Sequence, residues 1–123
     1  MAIVNQVRKK IRMDQWDIVR FQLTVYCYLN RISISDLDLN CLALLAILGD
    51  KELGEFCDIA TKSKIFGSNQ SVRNALAKAE KKQLINKTGK SKKRVSVSPS
   101  INVLVGGNIL LDYKIFRVEP EEG

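Results

Sequence analysis

Residues 68–99 read SNQSVRNALAKAEKKQLINKTGKSKKRVSVSP, and this stretch decides the architecture. Ser68 and Asn69 are both good helix N-caps, because a side-chain oxygen there accepts from the unpaired amides of the first turn. Val72, Ala75, Leu76 and Ala79 then fall at i, i+3, i+4 and i+7, one narrow apolar stripe. The opposite face carries Gln70, Ser71, Arg73, Asn74, Lys78 and Lys81. After that the rhythm changes. QLINKTG reads as a strand, KSKK as a polar turn, and RVSVSP as an alternating strand that Pro99 ends. The spacing predicts a helix joined to a β-hairpin with positive charge at its tip.

Working outward, SDLDLNCLALLAILGD predicts a second helix. Ser35 is a natural N-cap, Asp38 three residues on makes a capping-box-like pair, and Gly49 suits the stop. Leu37, Cys41, Leu44, Leu45 and Leu48 make its inner stripe, yet Leu42, Ala46 and Ile47 leave little polar face, so it is expected to be buried between neighbours. ELGEFCDIATKSKIFG predicts a helix from about Leu53 to about Lys62, with Leu53, Phe56, Cys57 and Ala60 inward. In the turn that follows, Phe66 is expected to plug the core and Gly67 to permit tight backbone geometry.

The flanks are less regular. DQWDIVRFQLTVYCYLNR alternates at Val19, Phe21, Leu23, Val25, Cys27 and Leu29 like a strand, and also places Ile18, Phe21, Val25 and Leu29 at helical spacing. Its length and lack of Gly or Pro favour a helix, with a strand still open. Arg8, Lys9, Lys10 and Arg12 make a basic arm before it, either a further phosphate contact or, as the default, a frayed terminus. INVLVGGNILLDYKIFRVEPEEG reads as two strands around Gly106 and Gly107, then an acidic tail. The division is therefore an N-terminal arm and apolar segment at 1–34, a central domain at 35–98 and C-terminal strands with the tail at 99–123.

The charge is concentrated. The 123 residues hold 20 Lys and Arg against 13 Asp and Glu, a net +7. The window 78–94 contains eight bases (Lys78, Lys81, Lys82, Lys87, Lys90, Lys92, Lys93 and Arg94) and one acid, Glu80. That window alone equals the net excess, and the remainder is balanced. Such a patch on a neutral body is the footprint of a polyanion-binding surface, although lysine-rich hairpins also serve solubility alone.

Several chemistries are disfavoured. No histidine supplies a general base or metal ligand, and no glycine-rich phosphate loop or paired acidic cluster is present, which argues against an enzyme and against a metal or cofactor. Cys27, Cys41 and Cys57 lie far apart in apolar segments and read as core residues in a reducing compartment. No apolar run approaches the roughly 18 residues of a membrane span, and no signal-peptide core precedes the charges, so a cytoplasmic location is expected. Between Gly67 and Pro99 there is no Phe, Tyr or Trp, which argues against stacking on single-stranded nucleic acid.

Three helices followed by a basic hairpin is the order of the winged helix-turn-helix fold. The chain resembles, over roughly residues 35–98, the recognition helix and wing of MarR-like regulators and of phage and plasmid replication proteins. Ser71-Val72-Arg73-Asn74-Ala75-Leu76 and then Ala79-Glu80-Lys81-Lys82-Gln83-Leu84-Ile85 follow the pattern S-V-x-x-A-L and L-E-K-K-G-L-I. Two positions depart: Ala79 stands for the usual Leu and Gln83 for the usual Gly, which implies a looser junction between helix and wing. The resemblance implies an α+β winged helix that binds double-stranded DNA. Gln70, Ser71, Arg73 and Asn74 would face bases in the major groove, and the eight basic residues of 78–94 would meet phosphates.

The resemblance also fits a tailed-phage origin, placing the protein in a host cytoplasm or a virion. There the alternative is an assembly component, in which the winged helix makes protein contacts and the apolar N- and C-terminal segments pair with another copy or partner.

Overall fold

The computed structural model describes residues 3–107 and 109–118. In chain order the elements are β1 (Ile3–Arg12), α1 (Gln15–Leu29), α2 (Asp36–Leu48), β2 (Lys51–Glu52), α3 (Leu53–Lys62), α4 (Asn69–Lys81), β3 (Ile85–Thr88), β4 (Arg94–Val97) and β5 (Leu110–Val118). Short 3-10 turns occupy Lys90–Lys92 and Pro99–Ile101. The chain is α+β. Four helices surround one core, β2, β4 and β3 form a three-stranded antiparallel sheet, and β1 pairs with β5.

Helix α2 occupies the centre, against α1, α3, α4 and β4. The Ser35 hydroxyl accepts from the Asp38 amide (3.2 Å), and Gly49 ends the helix at φ 79°, where a Cβ would be strained. Its buried apolar residues are Leu39, Cys41, Leu42, Ala43 and Leu45, with Asp38 buried beside them. The expected stripe is corrected at Leu37, which is exposed, and at Leu44 and Leu48, which are half-buried. A helix apolar on all sides carries no periodic signal to choose its inner face. Nor does Asp38 return to the cap; its carboxylate faces Lys78.

Helices α3 and α4 keep the faces their spacing predicts. Phe56, Cys57 and Ala60 are buried on α3, and Val72, Ala75, Leu76 and Ala79 on α4. Phe66 closes the core between them. The left-handed residue of that connection is Lys64 (φ 64°), whereas Gly67 does not have positive φ.

Residues 15–29 are helical, capped by the Asp14 carboxylate on the Asp17 amide (2.8 Å). The face differs from the expected one. Ile18, Val19, Leu23 and Cys27 are buried, while Phe21, Val25 and Leu29 are exposed. Alternation at 19, 23 and 27 is also a spacing of four, so one set of residues satisfied both periods.

The N-terminal arm is neither frayed nor unpaired. Its backbone forms β1, antiparallel to β5 in a register that sets Val7 opposite Ile115, Arg8 opposite Lys114, Lys10 opposite Asp112 and Ile11 opposite Leu111. Among the described residues one of the two expected C-terminal strands is present, β5, because 102–105 is not a strand. That segment lies on α1 instead. Gln15 Nε2 donates to the Val105 carbonyl (2.6 Å), and Gln22 both donates to the Leu104 carbonyl and accepts from its amide, each at 2.8 Å. The expected acidic tail lies outside the described residues.

Candidate nucleic-acid interface

The seating of α4 determines which of its side chains face outward. With Val72, Ala75, Leu76 and Ala79 buried, positions at i, i+3, i+4, i+7 and i+11 from Gln70 stay in solvent, giving a stripe of Gln70, Arg73, Asn74, Ala77 and Lys81. Three of the four predicted base readers lie on it. Ser71 does not: it is half-buried, its amide donates to the Ser68 hydroxyl (3.2 Å), and the two hydroxyls are 3.0 Å apart. Ser71 completes the N-cap and has little left to offer a ligand. On the stripe, Gln70 Nε2 donates to Asn74 Oδ1 (3.0 Å), an i,i+4 amide pair.

The start of α4 is clamped to α3. Asn69 Nδ2 donates to Asp58 Oδ1 (2.9 Å), and Asn69 Oδ1 accepts from the Thr61 hydroxyl (2.7 Å). Both ends of the amide are satisfied, so Asn69 fixes the angle at which the stripe is presented. This clamp was not foreseen from the sequence; a small polar residue directly after the Ser68 cap was the available signal for Asn69.

At its C-terminal end the helix passes to the hairpin through Gln83, in the left-handed region at φ 61°, with the Leu84 amide donating to the Ala79 carbonyl (2.9 Å). Glycine normally occupies this position, so Gln83 stores strain there rather than loosening the junction. Strands β3 and β4 pair Ile85 with Val97 and Thr88 with Arg94, with Val95 fully buried. Strand β2 adds to β4, opposite Val95 and Arg94. Two residues between helices give no strand signal, and the third strand was not foreseen. At the tip, Gly89 has φ 79°, and a Cβ there would sit 3.2 Å from Arg94 Cγ.

The eight bases of the window fall into two groups. Lys78 Nζ lies 3.2 Å from Asp38 Oδ2, neutralising a residue only 8% exposed. Lys82 Nζ donates to the Ser33 carbonyl (2.6 Å), tying the end of α4 to the α1–α2 connection. Lys87 lies 3.5 Å from Glu80, holding the hairpin root beside the Arg73–Ala77–Glu80 line of α4. Arg94 Nε donates to Asp50 Oδ1 at 3.1 Å. Lys81, Lys90, Lys92 and Lys93 are exposed and form no ion pair among the described residues. Half of the predicted phosphate set is thus held by internal acceptors, and half, with Arg73, is available.

The cysteines are buried and free. Burial, then the nearby Asp38 carboxylate and Cys57, push the Cys41 thiol up to about 12, and burial also raises Cys27 and Cys57. These are unreactive core thiols. Chemically, the surface offers hydrogen-bond donors, amide acceptors and unpaired cations, a set suited to an anionic polymer with polar edges. No family model, curated protein or solved structure matches the chain.

Proposed function

We propose that α2, α3, α4 and the β3–β4 hairpin act as a winged helix that binds duplex DNA, as a regulator or replication-type protein. The division of the charge carries this reading. Arg73 and Lys81 lie on the exposed stripe of α4, and Lys90, Lys92 and Lys93 lie at the tip of the hairpin that Lys87 ties to Glu80 of that helix. None of the five has an acidic partner among the described residues; an α-helix is what a major groove admits. A hairpin that needed lysine only for solubility has no reason to adjoin such a stripe. In this reading α4 enters the groove, Gln70, Arg73 and Asn74 meet base edges, and the hairpin tip grips phosphates.

The test is binding of random-sequence duplex across a salt series, read by fluorescence anisotropy. With the four free lysines on phosphates, log affinity falls against log salt with a slope of about −3.6. A slope near zero, or tighter binding to single strands than to duplex, sinks the proposal.

A second reading is favoured by a different surface. Phe21, Val25, Tyr28 and Leu29 are exposed along α1, Tyr28 by 81% and Leu29 by 71%, and Leu104, Leu110, Ile115 and Phe116 are exposed in the C-terminal segment. A groove of about 300 Å³ between the two regions is lined by Ile18, Phe21, Val25, Leu104 and Leu110. Apolar surface of this kind marks protein association, in a dimeric regulator or in a phage assembly. Sedimentation separates the readings: a monomer at high concentration removes self-association, and a ring larger than a dimer favours assembly over operator binding. Among the described residues no helix is long and apolar enough to cross a membrane.

A further inference from the structure

Gln70 and Asn74 carry a more specific consequence, which rests on the duplex-DNA reading. We propose that the two amides act as one reading head for a single adenine. The Gln70 Nε2 to Asn74 Oδ1 bond (3.0 Å) commits one group of each side chain to the other and orients both planes. The Gln70 carbonyl, an acceptor, and the Asn74 amino group, a donor, are left without a hydrogen-bond partner among the described residues. Turned over together, the amides exchange roles and still present one donor and one acceptor. In the major groove adenine alone offers the complement on a single base, N7 as acceptor and N6–H as donor; guanine shows two acceptors, cytosine a donor, and thymine an acceptor beside a methyl.

Two further observations support a joint contact over a mere helix-stabilising pair. The Ser68 cap and the Asn69 clamp onto Asp58 and Thr61 hold this end of α4 rigid, as a base reader requires. Ala77, three residues beyond Asn74 on the stripe, is exposed and short, so the helix can approach closely. The mutual bond also removes rotamer freedom before binding, which lowers the ordering cost of the contact.

The experiment is site selection from a randomised duplex pool with the wild type, Gln70→Ala, Asn74→Ala and the double variant, each checked for an unchanged melt. The expected result is one adenine position preferred about 5- to 150-fold by the wild type. Both single variants lose that preference, and the double variant loses no more. Replacing that adenine by 7-deazaadenine should weaken the wild type and leave Asn74→Ala unaffected. Two adenine positions, each lost with one residue only, overturn the joint head in favour of separate readers. Duplex binding with no adenine preference shows the pair to be a surface helix contact. Absence of duplex binding defeats the DNA reading itself, and this inference with it.

Discussion

The junction between α4 and the hairpin and the hairpin tip are built from the same residue types and behave differently. At the junction and along the hairpin strands, Lys78, Lys82, Lys87 and Arg94 each meet an internal acceptor, namely Asp38, the Ser33 carbonyl, Glu80 and Asp50. Lys90, Lys92 and Lys93 at the tip, and Lys81 at the end of α4, meet none among the described residues. A run of positive charge therefore contains two sets of residues. One ties α4 and the hairpin strands to the rest of the fold, and the other stays in solvent.

The strongest way to sharpen that contrast is Lys78→Ala. It strands a carboxylate that is largely buried, and should lower stability by about 1–2 kcal/mol, read from denaturant midpoints at neutral pH. An unchanged midpoint would move Lys78 into the free group. Next is Asn69→Ala, which removes two side-chain hydrogen bonds between α3 and α4 and should cost about 1 kcal/mol. DNA affinity should fall with it, because the stripe loses its fixed angle. Gln83→Gly acts in the opposite direction. Relief of the left-handed backbone should stabilise the protein by about 0.5–1 kcal/mol after the entropy of a freer unfolded chain is set against it. The smallest effect belongs to Asp50→Ala. Its pair with Arg94 is half-exposed on both sides, so the melt should move by less than about 0.5 kcal/mol. If the released Arg94 then tightens DNA binding, the boundary between tied and free charge is adjustable.

Legibility in the sequence followed the range of the interactions. Helices α3 and α4, the Ser35 and Ser68 caps and the β3–β4 hairpin rest on contacts a few residues apart, and their spacing and cap residues announced them. The inner face of α1 was hidden because apolar residues surround it, leaving two spacings that fit equally. The β1–β5 pairing joins residues about a hundred apart with no turn between them, a contact no local pattern encodes. The candidate site divides in the same way. The stripe residues Gln70, Arg73 and Asn74 follow from helical geometry, and their exposure was foreseeable. Which of the eight bases are free depends on Ser33, Asp38 and Asp50, far away in sequence and brought in by the packing of α2. Glu80 was close enough to find, but only the hairpin's return places Lys87 beside it.

The most direct test of the central claim is a salt series on random-sequence duplex, comparing Lys90→Ala/Lys92→Ala/Lys93→Ala with Lys82→Gln/Lys87→Gln/Arg94→Gln. Loss of three tip contacts should flatten the slope by about 2.7 and leave the melt unchanged, whereas the junction variant should keep the slope within about one contact's worth while melting earlier. Equal flattening by the two variants would contradict the division of the charge into tied and free halves, and no flattening by the tip variant would contradict the hairpin as a DNA contact.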